Sequence, residues 1–427
     1  MHIQRAASRL RVALAFTAAV WALAGGLAAA PAHAQPDDPP ELRALWVLRT
    51  SLTTPASIES LVRTARDRGF NAIFVQVRGR GDAYYASTLE PRALDLARQP
   101  ASFDPLQVVI DRAHAAGLRV HAWMNVNLVA SATDLPVART HVIYAHPDWL
   151  MVPRPIAQDV ASIDPTDPAY LGKIARWTRG ASDTVEGLYT SPLIPAAAAY
   201  VARVVADVAR RYAVDGIHLD YARYPTDQFD YSRGAIAQFR AELRPTLPAA
   251  VQRTLDAREA VDLFAYPDQY PQQWAAFRRT RMTGLMMRLR TAIKTARPSA
   301  LVSVAVAPDV QGAYDHRLQD WRTWLENGLV DAVCPMAYTT DPAEFSDQIR
   351  SAGEIAGPRM VWAGIGAYRL TAAQTVDNIQ TIRRLGAAGF ILFSYDSLTA
   401  AARGDSDYLA FVGRAITSAG PPDPNAR

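Results

Sequence analysis

Arg68-Gly69-Phe70-Asn71-Ala72-Ile73-Phe74-Val75-Gln76-Val77-Arg78 holds the end of one element, a chain reversal and the whole of the next element. A helical pattern over Ile58–Arg68 runs into Gly69, which supplies the left-handed turn that reverses a chain at a helix C-terminus. The apolar run Ala72–Val77 then reads as a strand buried on both faces, as a parallel sheet requires. The same glycine-hydrophobe step stands at Ala116-Gly117-Leu118-Arg119 and at Ala388-Gly389-Phe390-Ile391. Outward from these junctions, further strand-like runs lie at Ala44–Leu48, Arg119–Met124, Gly216–Leu219, Leu301–Ala305, Ala332–Ala337, Met360–Gly364 and Gly389–Phe393. Helical patterns separate most of them: Leu106–Ala116, Ala198–Tyr212, Arg281–Ala296, Asp320–Asn327, Ala343–Ala352 and Ala372–Leu385. Eight strand-helix repeats predict an α/β fold of the closed (β/α)8 TIM-barrel type over residues 41–418. No G-x-G-x-x-G or Walker A stretch opens a helix, which argues against dinucleotide and nucleotide-triphosphate folds.

Two connections exceed what a minimal barrel needs: residues 126–196 after the third strand and 221–280 after the fourth. Loops that follow strands build the C-terminal face, so these insertions are expected to wall a cleft there. Their Trp149, Trp177 and Trp274 read either as sugar-stacking rings or as cores of the insertions, and the second reading is the simpler one. The remaining composition narrows the class. The 427 residues are 50% apolar and 20% charged, with 45 basic and 41 acidic side chains and one cysteine. That excludes a disordered chain, a disulfide scaffold and a Cys-rich zinc module. Arg5, Arg9 and Arg11 precede the apolar run Val12–Leu23, which ends in Ala32-His33-Ala34, the pattern of a secretory signal peptide over 1–34. An uncleaved membrane anchor is the rival reading. Cleavage implies export to the periplasm or the medium, with no stable membrane insertion of the mature chain. Residues 35–40 read as a polar leader and 419–427 as a Pro-rich disordered tail. Residues 1–34 hold three Arg and no acid, so the mature chain keeps a formal charge of only +1. Nothing in that balance calls for nucleic acid as a partner.

The densest chemical signal is Val214-Asp215-Gly216-Ile217-His218-Leu219-Asp220-Tyr221-Ala222-Arg223-Tyr224-Pro225. His218 and Asp220, two residues apart on a strand, point to one side, toward the barrel axis if Asp220 does. A carboxylate at the C-terminal end of a barrel strand is costly to bury and serves chemistry or an ion pair, with Arg223 the nearest partner. The other strand ends carry Arg49 on the first; Gln76, Arg78 and Asp82 on the second; Trp123 and Asn125 on the third; Asp309 on the fifth; Tyr338 on the sixth; and Asp396 on the eighth. In a barrel these converge on one mouth, and carboxylates, amides, guanidinium groups and aromatics suit a sugar. Arg49, Arg78 and Asp82 read equally well as a charge network closing the barrel top. Glycoside hydrolysis usually needs two carboxylates; Asp220 is the first choice, and Asp309, Asp396 and Asp82 follow in that order for the second. His114, His121, His141, His146 and His218 form neither an H-x-H on the first strand nor an H-E-x-x-H helix, so neither a metal nor another cofactor is expected. No G-x-S-x-G elbow is present for a serine nucleophile. Gly364-Ile365-Gly366 reads as a tight packed turn, and Cys334 as a buried small hydrophobe.

In order along residues 41–416, Leu42-Arg43-Ala44-Leu45-Trp46-Val47, Phe70–Arg78 with Gly81-Asp82-Ala83-Tyr84-Tyr85, Gly216–Pro225, Asp320-Trp321-Arg322-Thr323-Trp324-Leu325 with Gly328-Leu329-Val330-Asp331, and Gly389–Tyr395 resemble the bacterial glycosyl hydrolase-like family 10. That resemblance implies an exported (β/α)8 glycosidase of the cell envelope, with peptidoglycan strands stripped of their peptides among the substrates of some relatives. It places Asp220 as the strand-four carboxylate and Gln76, Arg78 and Asp82 at the mouth. Two departures stand out: Tyr221 follows Asp220 where many relatives pair aspartates, and Met336 and Thr339 flank Tyr338 where relatives carry Gln and Trp. The second catalytic group is therefore open, and a 2-acetamido group of the substrate is one candidate for it. The alternatives to hydrolysis are a carbohydrate-binding barrel without catalysis, holding sugar through Arg49, Arg78, Asn125 and aromatics, and a metal-dependent deacetylase.

Overall fold

The structure is a computed structural model that describes residues 41–418 except 132, 357–359, 401–403 and 406. The expected signal peptide, leader and tail lie outside the described residues. The chain runs through β1 (Leu42–Val47), β2 (Ala72–Arg78), β3 (Arg119–Asn125), β4 (Leu128–Ser131), β5 (Gly187–Tyr189), β6 (Gly216–Asp220), β7 (Leu301–Val306), β8 (Ala332–Ala337), β9 (Met360–Ile365) and β10 (Gly389–Phe393). Eight of these close into a parallel barrel in the order β1-β10-β9-β8-β7-β6-β3-β2, with Leu42 opposite Gly389 and Ala44 opposite Ala72 at the closing pairs. All eight expected strands are present, displaced by at most two residues at their ends. β4 and β5 form a separate antiparallel pair inside the first insertion.

The junctions follow the sequence logic with one exchange. Gly69 and Gly117 sit at φ +78° and +75° directly after their helices, where an L side chain is strained. Before β10 the reversal falls instead to Gly386, at φ +71°, after the helix Ala372–Arg384. Gly389 serves close approach, since a Cβ there would stand 2.3 Å from the Leu42 carbonyl oxygen. Helix starts are capped by short polar side chains. Thr54 and Ser57 form a capping box, and Asp104 accepts from Gln107 N ahead of a helix opening on Pro105, satisfying N–H groups that have no intrahelical partner.

The barrel interior is filled unevenly. Trp46, Phe74, Trp123, Trp362, Cys334 and Ile391 pack together inside it, and glycine or alanine stands opposite the large rings. A Cβ on Gly364 would be 2.8 Å from the Trp46 indole, and one on Gly216 would be 2.2 Å from His121 Nδ1. Large aromatics from a few strands thus use the space that small residues on others leave, which keeps the interior close-packed. The two insertions share a second core that includes Val129, Trp149, Tyr231, Phe239, Trp274 and Phe277. Trp149 and Trp274 are buried there, and Trp177 packs against the main core, so these tryptophans are structural, the simpler of the two readings. A C-terminal helix, Tyr408–Ser418, not anticipated from the sequence, closes over the end of the helix Pro55–Asp67 through Gly413, where a Cβ would meet Arg68 O at 2.7 Å. Among the described residues, no helix is long and apolar enough to cross a membrane.

Candidate active site

At the C-terminal mouth of the barrel lies a cavity of about 310 Å³, lined by the ends of β1, β2, β3, β6, β7, β8 and β10 and by both insertions. Trp46, Trp123, Tyr338 and Phe393 give it aromatic walls. Tyr338 stacks on Phe393 at 5.4 Å and meets Trp46 edge-on at 6.4 Å. Such rings offer flat apolar faces to the C–H face of a sugar while hydrogen-bonding groups between them fix its hydroxyls.

Asp220 is the last residue of β6, 7% exposed, and lines the cavity. Its Oδ2 accepts from Trp123 Nε1 at 3.1 Å and its Oδ1 from the Tyr221 backbone N–H at 2.6 Å. Tyr221 adopts φ +52°, an uncommon conformation for a bulky residue and one that clusters at functional sites. Burial pushes the Asp220 carboxyl up to about 6, against the opposing pull of the Arg223 guanidinium and of its two hydrogen bonds. Among the described residues the one other carboxylate lining this cavity is Glu186, just ahead of β5. Its Oε1 takes Arg223 Nη2 at 2.6 Å and its Oε2 the Tyr189 hydroxyl at 2.7 Å. Burial works to raise the Glu186 carboxyl, but Arg223 and Tyr189 outweigh it and hold the group below its ordinary value. One cavity therefore presents a carboxyl that binds its proton near neutrality and a carboxylate that stays ionised, the separation by which a site divides acid from base.

The sequence candidates divide by where their side chains go. Arg49, Gln76, Trp123, Asn125, Asp220, Arg223 and Tyr338 line the cavity. Arg49 Nη1 donates to Gln76 Oε1 at 2.9 Å. Asn125 donates to Gly79 O at 2.7 Å, and its Oδ1 is buried without a partner. Arg223 turns to Glu186 rather than to Asp220, so the Asp220–Arg223 ion pair weighed from sequence is not formed.

His218 lies beneath the cavity and does not line it. Trp46 Nε1 donates to its Nε2 at 3.1 Å, and its Nδ1 meets Ser303 Oγ at 3.0 Å, which assigns the proton to Nδ1. Burial lowers this imidazole to about 3, so it is neutral and holds Trp46 in place. Arg78 is likewise beneath the mouth. It is 1% exposed, pairs with Glu90 at 2.7 Å and donates to the backbone carbonyls of Asn125 and Val126, so its reading as part of a charge network fits its contacts. Asp396 accepts from Leu48 N at 2.7 Å, Ser51 Oγ at 2.6 Å and Thr50 Oγ1 at 3.2 Å, tying the short helix after β10, Tyr395–Thr399, to the turn after β1. Asp82 accepts from the Arg80 backbone and lines an adjoining cavity.

Asp309 is exposed, caps the helix Val310–His316 through Gln311 N and does not reach the cavity lining. The five histidines considered for a metal are dispersed: His114 pairs with Asp215, His121 stacks on Phe74, His141 caps the short helix Val142–Ala145 and His146 stacks on Trp149. Among the described residues no group of three or more His, Cys, Asp or Glu is arranged to hold a metal ion. Gly364 and Gly366 admit the rings of Trp46 and Tyr338, as a packed turn would. The residues that sequence reasoning missed include Glu186, Arg80 and the wall aromatics Trp46 and Phe393. Arg80 stands in the polar stretch Arg78-Gly79-Arg80-Gly81-Asp82 at the end of β2, where the sequence reading favours Arg78 and Asp82 in its place, whereas only the folded insertion brings Glu186 to the mouth.

The family model described as Glycosyl hydrolase-like 10 matches residues 41–380. Among curated proteins, the chain is 24% identical over 339 residues to "Glycosyl hydrolase YngK" of Bacillus subtilis (strain 168), covering 72% of this chain and 55% of that protein. It is 26% identical over 308 residues to "Glycosyl hydrolase DigH" of Escherichia coli (strain K12), covering 68% and 59%. The chain thus spans somewhat over half the length of these relatives. Among solved structures, the glycoside hydrolase domain of PgaB (BpsB) from Bordetella bronchiseptica superposes with a TM-score of 0.59 at 17% identity, over 87% of this chain and 99% of that one. Alpha-L-fucosidase isoenzyme 2 from Paenibacillus thiaminolyticus gives 0.57 at 17%, over 88% and 49%. At these identities the structural likeness establishes the fold.

Proposed function

This chain belongs to the glycosyl hydrolase-like 10 family, and from that premise we propose that the cavity at its barrel mouth hydrolyses O-glycosidic bonds in a glycan, with Asp220 as the proton donor. The observation that carries the reading is the opposed tuning of Asp220 and Glu186 in one aromatic-walled cavity. In this scheme a sugar ring sits among Trp46, Trp123 and Tyr338. Protonated Asp220 gives its proton to the leaving oxygen as the C–O bond breaks. The Glu186 carboxylate, ionised beside Arg223, orients the water molecule that forms the new C–O bond at the anomeric carbon and takes the proton that this water loses. Glu186 takes the second role that sequence reasoning gave first to Asp309, because Asp309 faces solvent and caps a helix.

The signal-peptide pattern over 1–34 and the envelope context of the resemblance support an exported enzyme acting in the periplasm or the medium, with peptide-stripped peptidoglycan as the first substrate to test. The measurement is release of new reducing ends from a panel of polysaccharides, including peptidoglycan with and without its peptides, by the mature protein and by Asp220→Asn. Release from one polymer by the wild type alone supports the scheme and names the substrate. Binding without release across the panel leaves the carbohydrate-binding reading in its place.

A further inference from the structure

Part of the cavity wall carries two guanidinium groups that form no ion pair with a carboxylate among the described residues. Arg49, just past β1, and Arg80, just past β2, both line the cavity, and both also line an adjoining cavity of about 420 Å³ whose other charged groups are Arg92, Asp82, Asp95 and Asp134. They stand where the two spaces meet. Arg49 lies across Gly79, where a Cβ would be 2.9 Å from Arg49 Cδ and Nη1, so the glycine makes room for the guanidinium. Among the described residues the Arg49 guanidinium makes one hydrogen bond, to the neutral Gln76. The Arg80 guanidinium, half-buried, makes no hydrogen bond or ion pair among the described residues. Asp82 and Asp134 are close enough to favour its charge and Arg49 close enough to oppose it, but neither carboxylate comes within ion-pair distance. Two neighbouring half-buried guanidinium groups with largely unused planar donor forks offer a site whose shape and charge fit a carboxylate.

We propose that Arg49 and Arg80 form a carboxylate-binding subsite beside the reacting sugar, so that the glycan processed here carries a carboxylate on a residue that spans the two cavities. The inference rests on the glycosidase reading and narrows its substrate class. That chemistry has two sources, the ring carboxylate of a uronic acid and the lactyl-ether carboxylate of peptide-free peptidoglycan, and the test separates them.

The probes are a glucuronic acid oligosaccharide and peptide-free peptidoglycan strands, each beside the same material with its carboxyl reduced to the alcohol. The readout is the ratio of kcat/KM for the carboxylated form to that for the reduced form. Loss of a charge-assisted hydrogen bond corresponds to about tenfold to hundredfold, so the wild type is expected to favour one carboxylated probe by that factor. Arg80→Gln should collapse the ratio toward one whatever its absolute rate, and Arg80→Lys should restore part of it. Arg49→Gln gives a second reading should the first variant fold poorly. A wild-type ratio near one with both probes, or a ratio that Arg80→Gln leaves intact, overturns the subsite. If neither probe is cut, calorimetric binding of the same pairs to the wild type decides. Preference for a carboxylated form without turnover keeps the subsite and removes the glycosidase reading, and equal binding of both forms removes the subsite.

Discussion

Replacing Asp220 by Asn should change stability in opposite directions at two pH values. The carboxyl ionises near 6 in the folded chain against 3.8 for its ordinary value. Since the folded value is raised, folding favours the protonated form. The stabilisation from this group is complete below about pH 3.8 and is lost as pH rises through 6. A difference of about two units at 1.36 kcal/mol each puts the cost of the buried charge at about 3 kcal/mol by pH 7.5. Asn carries no charge and avoids that cost, but its amide nitrogen cannot accept one of the two donors, Trp123 Nε1 and Tyr221 N, that now meet the carboxylate. An unpaired donor costs about 1 kcal/mol. Asp220→Asn should therefore be more stable than the wild type by about 2 kcal/mol at pH 7.5, and less stable by about 1 kcal/mol at pH 3.5. Urea unfolding of both proteins at the two pH values, followed by circular dichroism, measures the difference. A stability change that is the same at both pH values would refute the assignment of a raised pKa to Asp220, and with it the reason for giving this residue the proton.

The same assignment governs the pH-rate profile. With Asp220 required in its protonated form, kcat/KM should fall about tenfold per pH unit above pH 6, measured on whichever glycan the panel identifies, and a rate flat to pH 8 contradicts it. Glu186→Gln should lower kcat at least about a hundredfold. It should also move the remaining alkaline limb to lower pH, because Glu186 contributes to raising Asp220; a limb that stays in place separates the two carboxyls. Arg78→Ala leaves Glu90 charged and without its partner in a site that is 0% exposed. It should destabilise by about 3–5 kcal/mol in urea unfolding, and a loss below about 1 kcal/mol would return Arg78 to the binding surface. Gly364→Ala places a methyl 2.8 Å from the Trp46 indole. It should cost about 1–3 kcal/mol and raise KM as the sugar platform shifts, with steady-state kinetics as the check.

The barrel was legible because each of its repeats is written locally. The run Ala72–Val77 is apolar without alternation since both its faces are covered, and Gly69 and Gly117 mark chain reversals that other residues make with strain. Asp220 was legible for the same reason, as an acid at the end of a run that otherwise buries only apolar groups and a histidine. Glu186 was not, since its place depends on how the connection between β3 and β6 folds back over the mouth, and no spacing within that connection records it. Asp309 shows the converse. A carboxylate after a strand has the same one-dimensional signature whether it points into the mouth or turns to cap the next helix, and the three residues that follow, Val310-Gln311-Gly312, suit a helix start. Arg78 and Asp396 were drawn toward the substrate by their positions at strand ends, but both find partners within the protein, Glu90 for the one and the turn after β1 for the other. Gly386 takes the reversal assigned to Gly389 because it directly follows Leu385, the C-cap of the helix before β10.

The most direct test of the account is mass spectrometry of the products formed from the identified glycan in H2(18)O. Hydrolysis led by Asp220 predicts one 18O at each new reducing end with the wild type and no fragments with Asp220→Asn. Intact polymer with the wild type, fragments lacking the label, or equal cleavage by the variant would contradict it.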